Sequence, residues 1–236
     1  MPARWQIATR DRGGRLAIRR MQPDQFLELL GETRASAILR TPHGDLAAEA
    51  MCSAIRGGFR ICEFTLTIPD ALEHIRSISE QFPDVVVGAG TVLTADDAHA
   101  AVEAGASFLV SPVVDIDVIE TATALGVASM PGCSSPTEML TAHEAGAPLV
   151  KLFPAPAGGV AWLKAVLGPL PFLKIVPTSG VDLHNAAEFL AAGAYAIGFV
   201  APLFAAEDVE AKRWDVIEER ARQMLEKCKP QTVPKG

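Results

Sequence analysis

Two residues that can do acid–base or nucleophilic chemistry lie inside otherwise apolar segments of this sequence. Lys151 lies in Pro148-Leu-Val-Lys-Leu-Phe-Pro154, and Glu63 lies in Ile61-Cys-Glu-Phe-Thr-Leu66. Burial disfavours the charged form, so it lowers the pKa of a lysine and raises the pKa of a glutamate. A neutral lysine can attack a ketone, and such a glutamate can act as a general acid or base. A structural alternative stays open for Glu63, because it could form a buried ion pair with Lys151 or Arg40.

A second lysine has the same local pattern as the first. Lys174 begins Lys-Ile-Val-Pro177, which repeats the Lys-x-x-Pro spacing of Lys151-Leu-Phe-Pro154. Lys174 stands near the start of its apolar run, where a long side chain could reach solvent at the N-terminal end of a strand. The pattern of residues therefore favours Lys151 only slightly and leaves both lysines open as the nucleophile.

Eight short apolar runs recur along the chain, and each is separated from the next by a turn and a helical stretch. They are rich in Val, Ile, Leu or Phe and do not alternate cleanly, which is typical of strands buried on both faces of a parallel sheet. The predicted strands are Ser36–Arg40, Phe59–Thr67, Val85–Gly88, Ser107–Ser111, Val127–Met130, Leu149–Pro154, Phe172–Pro177 and Ala194–Val200. The predicted helices between and after them include Thr94–Ala104, Ser135–Ala145, Asp182–Ala192 and Asp208–Cys228.

Eight strand–helix cycles predict an α/β protein with a (β/α)8 TIM barrel and an extra N-terminal helix. The alternative is a doubly wound open sheet. A nucleotide-binding sheet of that kind carries a Gly-x-Gly-x-x-Gly turn after its first strand, whereas this chain continues as Arg40-Thr-Pro-His-Gly44. The barrel is therefore the favoured architecture.

The site of a βα-barrel enzyme is built at the C-terminal ends of its strands. Those ends here hold Arg40, Glu63, Thr65, Thr67, Gly88-Ala-Gly-Thr91, Ser111-Pro112, Pro131-Gly-Cys-Ser134, Lys151, Thr178-Ser-Gly180 and Gly198. This mixture of cations, one acid and several hydroxyls suits a small anionic substrate. The segment Pro177-Thr-Ser-Gly180, with a helix predicted near Asp182, is similar to the phosphate site that the last strands of barrels commonly form.

From Ala37 to about Phe204 the chain resembles the class I aldolases that cleave 2-keto-3-deoxy-6-phosphogluconate (KDPG), whose relatives act on 4-hydroxy-2-oxoglutarate (KHG) and on KDP-galactonate. The resemblance is carried by an ordered series of motifs rather than by any one of them. The motifs are Ala37-Ile-Leu-Arg40, Glu63-Phe-Thr-Leu-Thr-Ile-Pro-Asp70, Val87-Gly-Ala-Gly-Thr-Val92, Ser111-Pro112, Pro131-Gly132, Pro136-Thr-Glu138, Lys151-Leu-Phe-Pro-Ala155 and Pro177-Thr178.

The resemblance implies a role for each candidate residue. It makes Lys151, rather than Lys174, the Schiff-base lysine, and Glu63 the general acid and base that relays protons through water. It further implies that the substrate carboxylate is held by Arg40, Thr91 and Thr178, and that the substrate packs against Phe153 and Pro131. No cofactor is implied. The partner is a small 2-keto acid, and the assembly expected from the resemblance is a homotrimer.

The chain departs from the family pattern where phosphate is expected to bind. The family usually has Pro-Thr-Gly-Gly and, in the last strand, Gly-Ser, whereas this chain has Ser179 before Gly180, and Val200 and Ala201 after Gly198. A lost charge-assisted hydrogen bond weakens binding by about 1–3 kcal/mol. Ser179, Gly180 and Gly198 are thus candidates for binding a phosphate or another distal group. We expect a substrate that is unphosphorylated or phosphorylated differently.

Three alternative functions follow from the same residues. With the same imine, the chain could be a KHG aldolase or an oxaloacetate decarboxylase. It could also be a binding protein that kept the pyruvate site and lost turnover, although retention of both Lys151 and Glu63 argues against this.

Composition limits the partners and the location. The chain has 236 residues and a net charge of -7, which gives no electrostatic reason to expect nucleic acid, and it has no apolar run long enough to span a membrane. Its four cysteines and five histidines are scattered, which predicts reduced thiols, a cytoplasmic location and no metal site.

The two ends of the chain differ in composition from its middle. Residues 1–20 hold six arginines, which predicts a flexible extension; a targeting peptide is the less favoured alternative. Residues 21–228 are predicted to form one domain and residues 229–236 a tail.

Overall fold

The computed structural model describes residues 21–229 and two further short strands, β1 (Ala8–Arg10) and β2 (Leu16–Ile18), which pair antiparallel. The rest of the predicted extension over residues 1–20 lies outside the described residues. The predicted tail also lies outside them, except for Lys229.

Eight parallel strands form the sheet, in the order β10-β3-β4-β5-β6-β7-β8-β9. Between its two end strands, the backbone N–H of Tyr195 donates to the carbonyl of Ile175 at 2.8 Å and helps to complete the ring. The predicted (β/α)8 barrel is confirmed. Most of its strands are shorter than the apolar runs that predicted them. They are β3 (Ala35–Leu39), β4 (Ile61–Thr65), β5 (Val86–Gly90), β6 (Phe108–Ser111), β7 (Ala128–Cys133), β8 (Val150–Leu152), β9 (Ile175–Pro177) and β10 (Ile197–Phe199).

Helices alternate with these strands, and the predicted extra helix precedes them. In α4 and α6 the side chains of Thr94 and Ser135 accept the backbone N–H of the third helical residue, as their capping boxes predict. The helices are α1 (Pro23–Thr33), α2 (Gly44–Arg56), α3 (Ala71–Gln81), α4 (Ala95–Glu103), α5 (Ile116–Ala124), α6 (Pro136–Glu144), α7 (Gly159–Leu167), α8 (Ala186–Ala191), α9 (Ala206–Glu210) and α10 (Trp214–Cys228). In the part of the chain that the structure describes, none of them has the length and hydropathy needed to cross a membrane.

The prediction that a helix begins at Asp182 is wrong. The carboxylate of Asp182 accepts the backbone N–H of His184 at 2.8 Å and that of Asn185 at 3.2 Å. Such a side-chain turn competes with the helical backbone pattern. The helix α8 therefore begins only at Ala186 and is six residues long, so the segment after Thr178 does not lead directly into a helix N-terminus.

The prediction of one continuous helix over Asp208–Cys228 is also wrong, because the chain turns between α9 and α10. Lys212 adopts a left-handed conformation with φ of 54°, which ends the first helix. The turn brings Arg213 and Arg220 to the buried carboxylate of Asp208, with an N–O distance of 2.6 Å for each. A buried carboxylate needs such partners, and this tertiary requirement is not visible in the periodicity of the segment.

The barrel interior is apolar at one end and polar at the other. At the apolar end α1 packs across the opening, with the rings of Phe26 and Phe108 stacked at 4.5 Å between centroids. Ile61, the first residue of β4, belongs to this apolar cluster, whereas Cys62 and Phe64 pack with the surrounding helices. Because side chains alternate along a strand, Glu63 faces the interior, one layer closer to the C-terminal ends of the strands.

Candidate active site

Lys151 lies at the centre of β8 and faces the barrel interior. Its neighbours Val150 and Leu152 pack with the outer helices, and only 5% of its own surface is exposed. Burial lowers the pKa of Lys151 from its ordinary value of 10.5, and the nearby Arg40 guanidinium lowers it further, although the Glu63 carboxylate opposes this. A larger share of the neutral amine, the form that attacks a carbonyl, is therefore present at a given pH than for an exposed lysine.

Glu63 is completely buried, and neither of its carboxylate oxygens has a hydrogen-bond partner among the described residues. A hydrogen-bonded ion pair with Lys151 or Arg40, the structural alternative considered from the sequence, is therefore not formed. Burial raises the pKa of Glu63 above its ordinary value of 4.5, while the charges of Lys151 and Arg40 act in the opposite direction. A buried acid with free oxygens beside a buried lysine is an arrangement suited to proton transfer.

Lys174, the competing lysine, lies at the other end of the barrel. It directly precedes β9, is only half-buried, and its Nζ lies 5.9 Å from the centroid of the Tyr195 ring. The hydroxyl of Tyr195 donates to the carbonyl of Leu27 in α1 at 2.8 Å. Because α1 covers the N-terminal ends of the strands, Lys174 is separated from the end at which Glu63 and Arg40 lie.

Gly90 provides the space that the carboxylate of Glu63 occupies. A Cβ at this position would lie 2.0 Å from Oε1 of Glu63, far closer than a van der Waals contact. The sequence placed Gly88-Ala-Gly-Thr91 among the strand ends of the site but gave no sign of this role for Gly90. The register that places Gly90 opposite Thr65, two residues after Glu63, appears only in the sheet.

We expect Gly90→Ala to lower the free energy of unfolding by about 1–3 kcal/mol, the usual cost of overpacking a filled core. It should also reduce turnover, because the carboxylate of Glu63 must move. Chemical denaturation and steady-state kinetics measure the two effects. Gly168→Ala is the control, since the nearest atom to a Cβ there lies at 3.5 Å and its φ of -56° suits alanine. Equal changes of unfolding free energy and turnover in the two variants would contradict this account of Gly90.

Arg40 and Thr91 meet at the C-terminal ends of β3 and β5. The guanidinium Nη2 of Arg40 donates to Oγ1 of Thr91 at 3.4 Å. Thr91 has a φ of 60°, a left-handed conformation that a β-branched residue rarely adopts. Strained backbone of this kind occurs often where a side chain is held for a function, which agrees with the predicted place of Thr91 in the site.

Lys151, Arg40 and Thr178 line one cavity of about 220 Å³. The ring centroid of Phe153 lies 5.1 Å from Nζ of Lys151, and the hydroxyl of Thr178 donates to the carbonyl of Leu152 at 3.5 Å. The remaining residues of the wall are Ile38, Ser179, Gly180, Val181, Val200, Ala201 and Pro202. Because side chains alternate along a strand, Ile38 points to the same side as Arg40, and its place in the cavity wall could have been predicted. Nothing in the sequence indicated that Val181 or Pro202 would line the cavity.

Four of the predicted site residues do not line this cavity, namely Glu63, Thr91, Pro131 and Gly198. Pro131 is buried in β7 opposite Ser111 of β6. Gly198 is buried in β10, where a Cβ would lie 2.5 Å from Cγ2 of Thr178 and 2.7 Å from Cδ1 of Ile38. Gly198 thus leaves room for the side chain of Thr178. The predicted contacts of Pro131 and Gly198 with the substrate remain predictions. Among the described residues, no group of three or more His, Cys, Asp and Glu side chains could hold a metal ion.

Comparison with known families agrees with this geometry. A family model described as KDPG and KHG aldolase matches residues 28–220, a stretch that contains all eight strands of the barrel and every candidate site residue. The chain belongs to the KDPG and KHG aldolase family. Fold and family therefore agree with the resemblance that the motifs indicated.

Individual members of the KDPG and KHG aldolase family align over most of the chain. A 2-dehydro-3-deoxy-phosphogluconate aldolase of Pseudoalteromonas atlantica is 37% identical, over 72% of this chain and 80% of that protein. The KHG/KDPG aldolase of Escherichia coli is 34% identical, over 74% and 83%. A solved KDPG aldolase of Legionella pneumophila, with pyruvate captured as a covalent carbinolamine, superposes with a TM-score of 0.78 at 27% identity and covers 86% of this chain and 98% of that one.

Proposed function

We propose that this protein cleaves a 2-keto-3-deoxy sugar acid of the KDPG type into pyruvate and an aldehyde through a Schiff base on Lys151. The observation that carries the proposal is the pairing of a buried lysine of lowered pKa with a buried, unpartnered glutamate in the barrel interior. Membership of the KDPG and KHG aldolase family supports the same chemistry.

The reaction follows from the two side chains. The neutral Nζ of Lys151 adds to the C2 ketone, and the carbinolamine loses water with a proton from Glu63 to give a protonated imine. The imine withdraws the electron pair of the C3–C4 bond, which breaks as the C4 hydroxyl proton passes to Glu63 through a water, and the aldehyde leaves. The enamine then takes this proton back from Glu63 at C3, and water hydrolyses the resulting imine to release pyruvate and restore Lys151.

The keto acid is oriented by the cation and hydroxyls around Lys151. In this proposal Arg40 binds the substrate carboxylate together with the hydroxyls of Thr91 and Thr178, while Phe153 packs beside the bound substrate. Arg40 already contacts Thr91, and Arg40 and Thr178 line the same cavity as Lys151. A fixed carboxylate places the C2 carbon for attack by the amine, which is the main gain from such positioning.

Borohydride reduction in the presence of pyruvate tests the proposal directly. A reduced pyruvyl adduct should appear in the intact mass of the wild-type protein and of Lys174→Ala, and it should be absent from Lys151→Ala. Lys174→Ala is the matched control because Lys174 has the same Lys-x-x-Pro pattern but lies at the other end of the barrel. An adduct that persists in Lys151→Ala, or none on the wild type, would contradict the proposal.

A homotrimer is the assembly that we propose for this chain. The family resemblance implies it, and a designed protein cage described as a fusion of symmetric oligomeric domains is 30% identical with a TM-score of 0.73. Leu93, Val113 and Ile116 are large apolar side chains exposed on the surface, as expected of residues covered on assembly. Light scattering after gel filtration gives the number of subunits.

We also propose that the protein works in the cytoplasm. All four cysteines are free and buried, which agrees with a reducing compartment. The small 2-keto acid remains the only partner that we propose apart from further copies of the chain.

A further inference from the structure

A second cavity adjoins the one that contains Lys151. It has a volume of about 300 Å³ and lies between the segment that follows β3 and the short helix α9. Arg40, Val200 and Ala201 belong to the walls of both cavities, so these three residues form the partition between them. The proposed aldolase reaction takes place at Lys151, which lines the first cavity and not the second, and nothing in that reaction explains the second cavity.

The walls of the second cavity are mainly apolar. Beyond the partition they consist of Thr41, Pro42, His43, Phe204, Ala206, Val209 and Glu210. Nε2 of His43 lies 3.4 Å from Oε1 of Glu210, so a protonated His43 would have an acidic partner there. Arg40 at the partition is therefore the only cation in this wall without an acidic partner among the described residues, and the proposed function already assigns it to the substrate carboxylate.

The turn that separates the cavities offers little to an anion. Pro202 has no N–H group, and the N–H groups of Leu203 and Phe204 both donate to the carbonyl of Val200. Only Val200 and Ala201 could offer backbone donors from this turn, whereas a phosphate site needs several converging N–H groups or cations. The turn is also fixed in place, because Arg220 donates to the carbonyl of Leu203 at 2.9 Å while it pairs with Asp208.

A loop in the wall of the first cavity is equally poor in positive charge. It runs from Thr178 to Asn185, contributes Thr178, Ser179, Gly180 and Val181 to that wall, and has no lysine or arginine, while Asp182 adds a negative charge. The side chain of Asn185 donates to the carbonyl of Gly180 at 2.8 Å, and α8 begins too late to direct its N-terminus into the cavity. A dianionic phosphate ester would therefore lose hydration here without regaining equivalent partners.

We infer that the second cavity is a subsite for an uncharged distal group of the substrate, which extends past Val200 and Ala201 towards α9. This inference rests on the proposed aldolase function and specifies its substrate class, namely 2-keto-4-hydroxy acids without a terminal phosphate. The apolar contacts of Pro42, Phe204 and Val209 favour a group with considerable carbon surface.

The first test compares KDPG with the same sugar acid lacking phosphate, since both present an identical keto acid to Lys151. The value of kcat/KM, followed by pyruvate release, should be about tenfold higher for the unphosphorylated compound. A higher value for KDPG would overturn the inference. The borohydride adduct with pyruvate alone is unaffected by the distal group, so its absence would instead refute the proposed function.

The second test fills the new cavity without touching the first. Condensation of pyruvate with acetaldehyde or with hexanal is compared in the wild type and in Ala206→Trp, whose new side chain should occupy the second cavity. The kcat/KM for hexanal should fall at least tenfold, and that for acetaldehyde should stay within twofold. Glu207→Trp, which changes the neighbouring exposed residue of α9 outside the cavity wall, should leave both kcat/KM values within twofold. Equal losses for the two aldehydes, or no loss for hexanal, would overturn the subsite, and circular dichroism excludes misfolding.

Discussion

Replacement of Lys151 by alanine should lower kcat/KM for cleavage by at least about 10⁴-fold, because loss of the covalent nucleophile removes the imine route altogether. In the wild type the rate of imine formation with pyruvate should rise with pH and level off below pH 10.5, the ordinary pKa of a lysine. The reason is that burial lowers the pKa of Lys151, so the neutral amine accumulates earlier than in an exposed lysine.

Pyruvate release, coupled to NADH oxidation, measures the loss of turnover, and stopped-flow trapping measures imine formation across the pH range. Lys174→Ala serves as the control and should retain kcat/KM within twofold, because Lys174 is half-buried at the opposite end of the barrel. If Lys174→Ala lost as much activity as Lys151→Ala, the assignment of the nucleophile would fail.

The second large effect is expected for Glu63→Gln, which should reduce kcat by about 10²–10⁴-fold, the range found when a general acid–base group is removed. The amide keeps the shape of the side chain but cannot take up the C4 hydroxyl proton. Glu80→Gln, an exposed change on α3, should stay within twofold. A Glu63→Gln variant with full kcat would show that this carboxylate moves no proton in the reaction.

The same substitution should not destabilise the fold. Because burial raises the pKa of Glu63 in the folded state above its unfolded value, its stabilising contribution is present at pH below 4.5 and is lost as the pH rises through the folded value. Above pH 4.5 the folded state must either keep a proton that the unfolded chain releases or bury the charged carboxylate, and glutamine removes this cost. The melting temperature of Glu63→Gln at pH 8 should therefore equal or exceed that of the wild type, and the difference should shrink towards pH 4.5.

The second subsite changes how the departures in the sequence are understood. Val200 and Ala201 stand where the family usually has Gly-Ser, and by themselves these two residues indicate only that a phosphate contact is missing. In the structure they form the partition between two cavities, beside Pro202, which has no N–H group to donate. The missing hydrogen-bond donors and the apolar second cavity both indicate a substrate without a terminal phosphate.

The sequence by itself was sufficient to predict the barrel, because strands buried on both faces and capped helices leave local patterns. The capping boxes at Thr94 and Ser135 placed two helix starts to within one residue. The ordered motifs identified the family and the residues Lys151 and Glu63. The residues around each lysine could not firmly rank Lys151 above Lys174 as the nucleophile. The burial of a lysine depends on how far along its strand it lies within the closed barrel.

The tertiary structure decided what depends on contacts between distant segments. The break after α9 follows from Asp208, whose buried carboxylate requires both Arg213 and Arg220. The room for Glu63 depends on Gly90 in the neighbouring strand, and the second cavity depends on α9 standing beside the segment after Arg40. Hydrophobic periodicity records which face of an element is buried, but not which side chains meet across the barrel. For that physical reason the sequence indicated Lys151 and Glu63 as the proposed catalytic pair, whereas only the folded chain revealed the space and the charges around them.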